Sequence, residues 1–490
     1  MRYMATKSAR EARKAAIAMP LILMPIAAIV VASGGWIGQA FVHAGVLPEM
    51  EPKKAFYITA EFLSHPGVFG LILAALTAAL MSTVDTLITA IAAVNDDKFG
   101  EPDNRCAIMF YDYTVFAGTQ GVQNHRKTDR IIDLAEEGRL PFILFAEGGG
   151  GRPGDDNIGP RVAFDTPTFT TFSQLSGLVP MVGINNGRCF AGNTALLACC
   201  DVIIATESST IAMGGPAMIE GGGLGIYTPE EVGPMSDLAP AGSVDIIVKT
   251  QDEAIATSKK LISYFQGSIP PGPHADQRLL RHIVPENHKR AYDVRELIQI
   301  LADEDSVLEL RPEFGRSAVT AFIRIGGHPF GLTVNNNAYI GGAIDSDGSD
   351  KVARFWQICD AFNIPIIAMV DTPGMMVGPD IEKTGLIRHC SRLFVTGANL
   401  KTPRFSIILR GGYALGALSV MSTGSRAPLY TAAWPDARFG GMNVEAGVLL
   451  SNRARLQEIE NVEERAAEFE QLVADSYDRI SAIQTATRFG

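Results

Sequence analysis

The chain has 490 residues and a formal net charge of −11, from 42 lysines and arginines against 53 aspartates and glutamates. This length predicts two or three domains with sizeable cores. The acidic balance, without a basic stripe, argues against a nucleic-acid-binding protein. The cysteines at 106, 189, 199, 200, 359 and 390 form no C-x-x-C pair, and the histidines show no metal-ligand spacing. The sequence therefore predicts neither a disulfide framework nor a metal site.

Two long apolar stretches lie in the first hundred residues. Residues 15–46 and 68–95 are each long and apolar enough to span a bilayer. Basic residues precede the first stretch, at Arg2, Lys7, Arg10, Arg13 and Lys14. The positive-inside tendency then keeps both ends of a two-helix segment in the cytoplasm. We predict two transmembrane helices within a membrane segment over residues 1–98; a cleaved secretory signal is the alternative for the first stretch.

Polar residues interrupt the second stretch, at Ser82, Thr83, Asp85 and Thr86. Polar side chains are costly in a bilayer and are commonly functional or buried against other helices. The text AALTAALMSTVDTLITAIAAVNDD resembles a helix of sodium:solute symporters. A transporter of that kind needs further helices, so the resemblance implies a symporter fragment fused to the following sequence, with the junction in NDDKFGEPDN.

Similarly worded glycine-rich segments then recur half a chain apart. The first half has EGGGGRPGD from Glu147, GRCFAGNTALLACCD from Gly187 and AMGGPAMIEGGGLG from Ala212. The second half has DTPGMMVG from Asp371, RGGYALGALSVM from Arg410 and AWPDARFGGMN from Ala433. In each half, a strand-like run (PFILF or IPIIAMV) precedes a glycine turn, and a small-residue helix follows. The repeat predicts two related modules, each with a helix start whose free N–H groups form an anion receptor.

The remaining elements follow from local patterns. GSIPPGPHADQ, from Gly267 to Gln277, predicts a linker between the modules. YDVRELIQILADEDSVLEL predicts a helix and then a strand, and residues 319–325 alternate as a strand does. Residues 453–484 predict one charged amphipathic helix. EGGGGRPGD lacks the Gly-Lys-Ser/Thr ending of a phosphate loop, which disfavours a nucleotide-hydrolysing P-loop.

Seven stretches, taken in order, resemble one family over most of the chain. They are YDYTVFAGTQG, NHRKTDR, EGGGGRPGD, MGGPAMIEGGG, YDVRELI, KVARFWQICDAFNIPIIAMVDTPG and AWPDA. From about residue 107 to 450 the chain looks like the beta-type carboxyltransferase subunit of biotin-dependent acyl-CoA carboxylases of the acetyl- and propionyl-CoA carboxylase kind. The resemblance implies an α/β fold of two tandem crotonase-like (ClpP/crotonase) domains, at residues 99–270 and 271–490. The family's usual opening segment is not recognised, so the first domain is expected to begin late, with a sheet that lacks edge strands.

Such an enzyme moves a carboxyl group between carboxybiotin and the α-carbon of a short acyl-CoA, and paired backbone N–H groups stabilise the two developing oxyanions. Motif matching implies thioester-side donors at Gly192 and Asn193 and biotin-side donors at Leu415 and Gly416. The family often has glycine at Asn193 and Leu415, so side chains there are expected to crowd the ligand. Many members also carry a basic residue where this chain has Gly411.

The resemblance also implies a set of substrate-binding residues. They are Gly148, Gly149, Gly150, Gly151, Arg152, Gly214, Gly215, Pro216, Arg126, Lys127, Gly374, Ala414 and Leu418. Arg126 and Lys127 are candidates for holding CoA phosphates, with solvated surface charge as the alternative. His125, beside them, is expected to be structural. The apolar Leu418 lies where family members vary and does not indicate which acyl group is used.

The family also indicates cofactors, partners and location. No Ala-Met-Lys-Met carrier motif occurs, so biotin is expected on a separate carrier protein, with biotin carboxylase as a further partner. The site is expected between subunits, in a homo-oligomer that is a dimer or a trimer of dimers. The enzyme is expected in the cytoplasm, free or tethered to the inner face of the membrane. The alternatives are a decarboxylase subunit of a sodium pump and an inactive membrane-tethered fusion product.

Overall fold

A computed structural model describes residues 87–151, 166–288 and 290–489, together with residues 37, 40–47, 58, 59 and 62. The chain divides into two compact units. One is Met1–Ile88 with Tyr113–Ala117, and the other is Thr89–Asp112 with Gly118–Gly490. Residues 40–43 of the first unit are helical.

The predicted membrane helices lie largely outside the described residues. Among the residues that the structure describes, no helix has both the length and the apolar character needed to cross a membrane. At its end, the second predicted span forms a strand over Leu87–Ala93, so the prediction of a helix is wrong there. The segment is rich in alanine, isoleucine and threonine, and Thr89 and Ile91 carry β-branched side chains that suit a strand. Ser82, Thr83, Asp85 and Thr86 are outside the described residues.

The first half of the described chain is built on a six-stranded sheet of order β1-β2-β3-β4-β6-β8. Its strands are β1 (Leu87–Ala93), β2 (Arg105–Tyr111), β3 (Phe142–Phe145), β4 (Met181–Asn185), β6 (Val202–Thr206) and β8 (Ile246–Val248), and β5 (Arg188–Phe190) pairs with β7 (Thr210–Ala212). Its helices are α1 (Val122–Gly138), α2 (Thr168–Gln174), α3 (Gly192–Ala198), α4 (Pro216–Gly221), α5 (Met235–Leu238) and α6 (Gln251–Gln266). From β2 to β8 the pairing is parallel. Because helices cover a parallel sheet on its faces, its strands are continuous apolar runs such as FILF and VIIAT.

The second half is built on a seven-stranded sheet of order β14-β13-β12-β11-β10-β9, with β15 also paired to β13. The strands are β9 (Leu308–Leu310), β10 (Ala318–Ile325), β11 (His328–Asn335), β12 (Ile366–Thr372), β13 (Arg404–Tyr413), β14 (Tyr430–Ala433) and β15 (Arg438–Gly440). The helices are α7 (Val294–Leu301), α8 (Ser346–Ala361), α9 (Pro379–Glu382), α10 (Leu386–Asn399), α11 (Ala414–Val420), α12 (Val444–Ser451), α13 (Arg453–Glu458), α14 (Val462–Arg479) and α15 (Ala482–Phe489). β9, β10 and β11 pair antiparallel, and β11 to β14 pair parallel. The predicted strand over residues 319–325 is confirmed within β10.

The single helix predicted over residues 453–484 is wrong. The segment is divided into α13, α14 and α15. Asn461 lies between α13 and α14. Its side chain accepts hydrogen bonds from the backbone N–H groups of Glu463 and Glu464 and so caps the start of α14. Capping chemistry at Asn461 therefore overrides the continuous amphipathic pattern.

The two halves repeat one backbone design. In each, an acidic residue lies close to the end of a strand (Glu147 after β3, Asp371 within β12), a glycine turn follows, and a later strand, β5 or β13, leads into a seven-residue helix, α3 or α11. An alanine with positive φ stands at the start of each helix: Ala191 at 52° immediately before α3, and Ala414 at 55° as the first residue of α11. Gly150 and Gly374 also share positive φ, at 86° and 130°. The equivalence pairs Gly192 with Leu415 and Asn193 with Gly416.

The halves share one apolar core and are joined by ion pairs. The core runs from Ile184 and Val202 of the first sheet to Phe322 and Trp356 of the second half. Arg311 lies 2.6 Å from a carboxylate oxygen of Asp245 across this joint, with both side chains mostly buried. The two modules are consequently packed against each other and are not separate domains joined by a flexible linker.

Candidate active site

The loop after β3 forms the first of two cradles, which we define as the first cradle: Gly118, residues 147–151, and the start of α3. Close backbone approach explains its glycines. A Cβ at Gly148 would lie 2.3 Å from the carbonyl oxygen of Gly118, and one at Gly150 would lie 2.5 Å from the Cβ of Ala191. Side chains at these positions would push the loop away from the helix start.

Asn193 braces the first cradle. Its Nδ2 donates to the carbonyl oxygens of Gly118 (3.2 Å) and Glu147 (3.0 Å), and its Oδ1 accepts from the N–H of Gly150 (3.0 Å). The residue is fully buried. The expectation that the Asn193 side chain crowds the ligand is therefore wrong, since the amide points into the protein and fixes the loop.

Both α3 and α11 begin without a side-chain cap among the described residues. The first N–H groups of any helix lack an intrahelical acceptor. No side-chain hydrogen bond caps α3 or α11, and both helices begin next to a positive-φ alanine. Ala191 has φ 52° and ψ −122°, which makes a sharp turn in the backbone. Helix α3 starts immediately after this turn, with the amides of Gly192 and Asn193.

The second cradle, defined as Gly374 with the start of α11, repeats this arrangement without the asparagine. A Cβ at Gly416 would lie 2.6 Å from the carbonyl carbon of Gly374 and 2.7 Å from its Cα. The loop and helix therefore touch directly, and glycine is required at 416. Leu415 is 61% exposed and Leu418 is 37% exposed, so both present apolar side chains at the surface beside this cradle. Within the described chain, no hydrogen bond joins the second cradle to the first.

A carboxylate supports each cradle: Glu147 in the first half and Asp371 in the second. The sequence analysis predicted a role for neither. Asp371 accepts hydrogen bonds from Tyr292 (2.9 Å) and Asn337 (2.9 Å), pairs with Arg410 (3.2 Å), and accepts from the N–H of Gly411 (3.0 Å). Glycine at 411 thus contributes its amide to this carboxylate. The signal was present in the sequence, because an acidic residue begins both EGGGG and DTPG.

Glu147 is the equivalent carboxylate of the first half. Burial raises its pKa above the ordinary value, a backbone hydrogen bond from Asn186 opposes the rise, and the charge of Asp112 adds to it. Its carboxyl group faces Gly187, at 3.6 Å from a Cβ built there. Both carboxylates tie the end of one strand to the turn of the next, so they position the loops of the cradles.

The remaining predicted site residues fall into three groups: some border the first cradle, some are exposed, and one lies outside the described residues. Gly215 caps α4 and lies against the ring of Phe190, next to Ala191, so Gly214, Gly215 and Pro216 border the first cradle. Arg126 and Lys127 are exposed in the first turns of α1. Arg152 lies outside the described residues.

His125 belongs to a hydrogen-bonded group at the start of α1. Its Nδ1 lies 3.1 Å from the hydroxyl of Thr168, which in turn donates to Asp129. Burial lowers the pKa of His125, and the charge of Asp129 opposes that shift. A neutral imidazole linking α1 to α2 fits the structural role expected for this residue.

Comparison with known proteins gives one consistent family. Residues 100–488 match the family model described as the carboxyl transferase domain. The chain is 30% identical over 394 residues to the uncharacterized carboxylase YngE of Bacillus subtilis, covering 78% of this chain and 75% of that protein. It is 29% identical over 391 residues to the propionyl-CoA carboxylase beta chain of Cereibacter sphaeroides, covering 77% and 76%.

Two solved structures are similar in fold. A single-chain, multi-domain long-chain acyl-CoA carboxylase matches with a TM-score of 0.77 and 46% identity, over 82% of this chain. This chain spans 40% of the length of that carboxylase. The transcarboxylase 12S hexamer, solved with methylmalonyl-CoA and methylmalonic acid, matches with a TM-score of 0.72 and 25% identity over 82% of this chain and 77% of that one.

Proposed function

The chain belongs to the carboxyl transferase domain family, and we propose that it moves a carboxyl group between biotin and the α-carbon of an acyl-CoA. When bound, biotin supplies the transferable carboxyl group at its ureido nitrogen, and it arrives on a separate carrier protein. The residues fit these ligands, since each cradle offers backbone amides, and the Glu147 carboxyl group of the first cradle positions its loop. Such donors stabilise a developing oxyanion without taking part in bond formation.

Each cradle has one oxyanion to stabilise. The amides of Gly192 and Asn193 bind the thioester oxygen as it becomes negative, and the amides of Leu415 and Gly416 bind the ureido oxygen. Gly148 to Gly151, Gly214, Gly215 and Pro216 border the acyl-CoA at the first cradle, and Gly374 and Ala414 border biotin at the second. Arg126 and Lys127 attract the CoA phosphates from the exposed start of α1.

One observation carries this proposal. Two helices, in separate halves, each begin beside a positive-φ alanine and lack a side-chain cap. A positive φ on alanine is unfavourable and persists only where the surrounding structure enforces it. Its recurrence at equivalent positions supports a paired oxyanion-stabilising role.

Carboxyl transfer from malonyl-CoA and methylmalonyl-CoA to free biotin by the full chain tests the proposal. Gly416→Ala introduces a Cβ within 3 Å of the Gly374 backbone and should lower kcat by about 10²–10³-fold, the cost of losing an oxyanion donor. Gly441→Ala is the matched control, because nothing lies within 4 Å of its Cβ. Absence of transfer by a folded, oligomeric sample would exclude the enzyme and favour the inactive fusion product.

The acyl group is proposed to be a long chain. The similarity to the long-chain acyl-CoA carboxylase reaches 46% identity, against 29% for the propionyl-CoA carboxylase chain. A long-chain alkylmalonyl-CoA should therefore show a higher kcat/KM for transfer to biotin than methylmalonyl-CoA, and the reverse order would assign a short acyl group, acetyl or propionyl.

The assembly and location follow the same reasoning. We propose a homo-oligomer, a dimer or a trimer of dimers, that works with a biotin carboxyl carrier protein and biotin carboxylase in the cytoplasm. The domain division at residues 98 and 270, the symporter-like fragment and a membrane tether remain proposals from the sequence. A sodium-pump decarboxylase is the second candidate, and sodium-dependent turnover would favour it.

A further inference from the structure

A cavity of about 740 Å³ opens in the second half, beside the Asp371–Arg410 pair. Residues 280–288 form one wall, and Leu409, Arg410 and residues 434–438 form the other. No cradle residue lines it. Its volume lies within the range of small-molecule sites, which is about 300–1,000 Å³.

Three arginines line this cavity: Arg281, Arg410 and Arg438. Arg410 pairs with Asp371 at 3.2 Å and lies over the ring of Tyr292, so its guanidinium is held in one place. Arg281 is exposed and forms no ion pair within the described chain. Arginine presents a rigid fork of donors that matches carboxylate and phosphate oxygens.

Arg438 is the third arginine, and its environment leaves donor capacity unused. It donates to the imidazole of His288 and lies over the ring of Tyr477, 5.4 Å from the centroid. Its Nε is buried and has no hydrogen-bond partner among the described residues. This atom is closed to solvent, so a ligand in the cavity reaches Arg438 at its terminal nitrogens.

Charge and apolar surface define what the cavity would accept. Glu286 and Asp436, both exposed, are the carboxylates of the lining. Arg410 is already paired with Asp371, so Arg281 and Arg438 are the guanidinium groups left for a ligand. Leu280, Val284 and the indole of Trp434 supply apolar wall between them. A site of this composition suits a negative head group attached to an apolar or aromatic body.

We propose that the cavity between Arg281 and Arg438 binds a small organic anion: a carboxylate or phosphate joined to an aliphatic or aromatic body. The head group accepts from Arg281 and Arg438, and the body lies on Trp434. No cradle residue belongs to this site, and the inference does not depend on the proposed function.

Binding of two probes to the full chain tests the proposal: AMP, which joins a phosphate to a flat ring, and decanoate, which joins a carboxylate to an aliphatic chain. Tryptophan fluorescence is suitable because Trp434 lines the cavity while Trp356 is fully buried elsewhere. At least one probe should bind saturably in the millimolar range or below. Arg281→Gln and Arg438→Gln should each weaken that binding about tenfold or more, and Trp434→Phe should remove most of the fluorescence change.

Arg278→Gln is the matched control. Arg278 lies on the same short helical turn, Gln277–His282, but pairs with Asp276 and does not line the cavity. It should bind the probe as the unaltered chain does. The proposal is overturned if neither probe saturates at several millimolar, or if Arg281→Gln binds as tightly as Arg278→Gln. Because Arg281 is exposed, its variant should keep the circular dichroism and the carboxyl transfer of the unaltered chain.

Discussion

Asn193 and Gly416 occupy equivalent positions in the two cradles, yet they support the loops differently. At 416 a side chain has no room, because the Gly374 backbone is already within 3 Å of the Cβ position. At 193 the loop stands farther off, and a buried amide group fills the gap with three hydrogen bonds. The same receptor is therefore held by direct contact in one half and by a side-chain brace in the other.

Removing that brace should affect stability and substrate binding together. Asn193→Ala leaves two carbonyl groups and one N–H without their buried partner, at a cost of about 1–3 kcal/mol or more. We expect a lower urea midpoint and a higher KM for the acyl-CoA. Asn399→Ala, which changes an exposed asparagine bonded only to Val395, should alter neither. An Asn193→Ala variant with an unchanged midpoint and KM would show that the loop is held by other contacts.

At the scale of helices and strands, the sequence patterns predicted the elements themselves better than the contacts between them. The runs PFILF and IPIIAMV were predicted as strands, and they form β3 and β12. The glycine turns were predicted to lead into small-residue helices, and α3 and α11 begin there. The sequence could not show which way Asn193 points, because that depends on the loop that packs against it. It also could not show the end of the apolar stretch at Leu87–Ala93 as a strand, because pairing with β2 decides that conformation.

The start of β6 carries a buried carboxylate whose titration should be measurable. Asp201 accepts from the N–H of Met181, the first residue of β4, and lies 3.6 Å from Arg354. Burial raises the pKa of Asp201 to about 6, from 3.8. A raised pKa in the folded state stabilises the fold below the unfolded pKa and loses that contribution as pH rises through the folded one. The loss therefore falls between pH 4 and 6 and approaches about 3 kcal/mol.

Asp201→Asn should remove this dependence. We expect the free energy of unfolding of this variant, measured by urea denaturation, to rise relative to that of the unaltered chain between pH 4 and 6. Above pH 6 the difference between the two should stay constant. Asp133→Asn, at an exposed position on α1, should follow the unaltered chain throughout. Parallel curves for Asp201→Asn across the whole interval would contradict the assignment.

For the whole molecule, the joint between the halves depends on a buried ion pair. Arg311 lies 2.6 Å from Asp245, whose second oxygen accepts from the N–H of Ile203 at 2.7 Å. Arg311 belongs to the second half, and Asp245 and Ile203 belong to the first. The pair therefore fixes how the two sheets meet across the shared core.

Breaking one side of this pair should be costly. Arg311→Met leaves the carboxylate of Asp245 buried without its cation and should destabilise the chain by about 3–5 kcal/mol, whereas adding Asp245→Asn should restore part of the loss. Arg278→Met, which breaks an exposed pair with Asp276, should leave the urea midpoint nearly unchanged. Equal midpoints for Arg311→Met and Arg278→Met in urea denaturation would refute a structural role for the joint.

The positive φ of Ala191 and Ala414 has a consequence for when the proposed oxyanion-binding amides become ordered. An alanine held there is a conformational penalty that the rest of the fold overcomes when the chain first folds. The amides that follow are then already aimed before any ligand arrives, and a ligand need not reorganise them. In the proposed reaction, the ordering of these amides is thus completed once in the lifetime of each molecule, and every turnover begins from the same geometry.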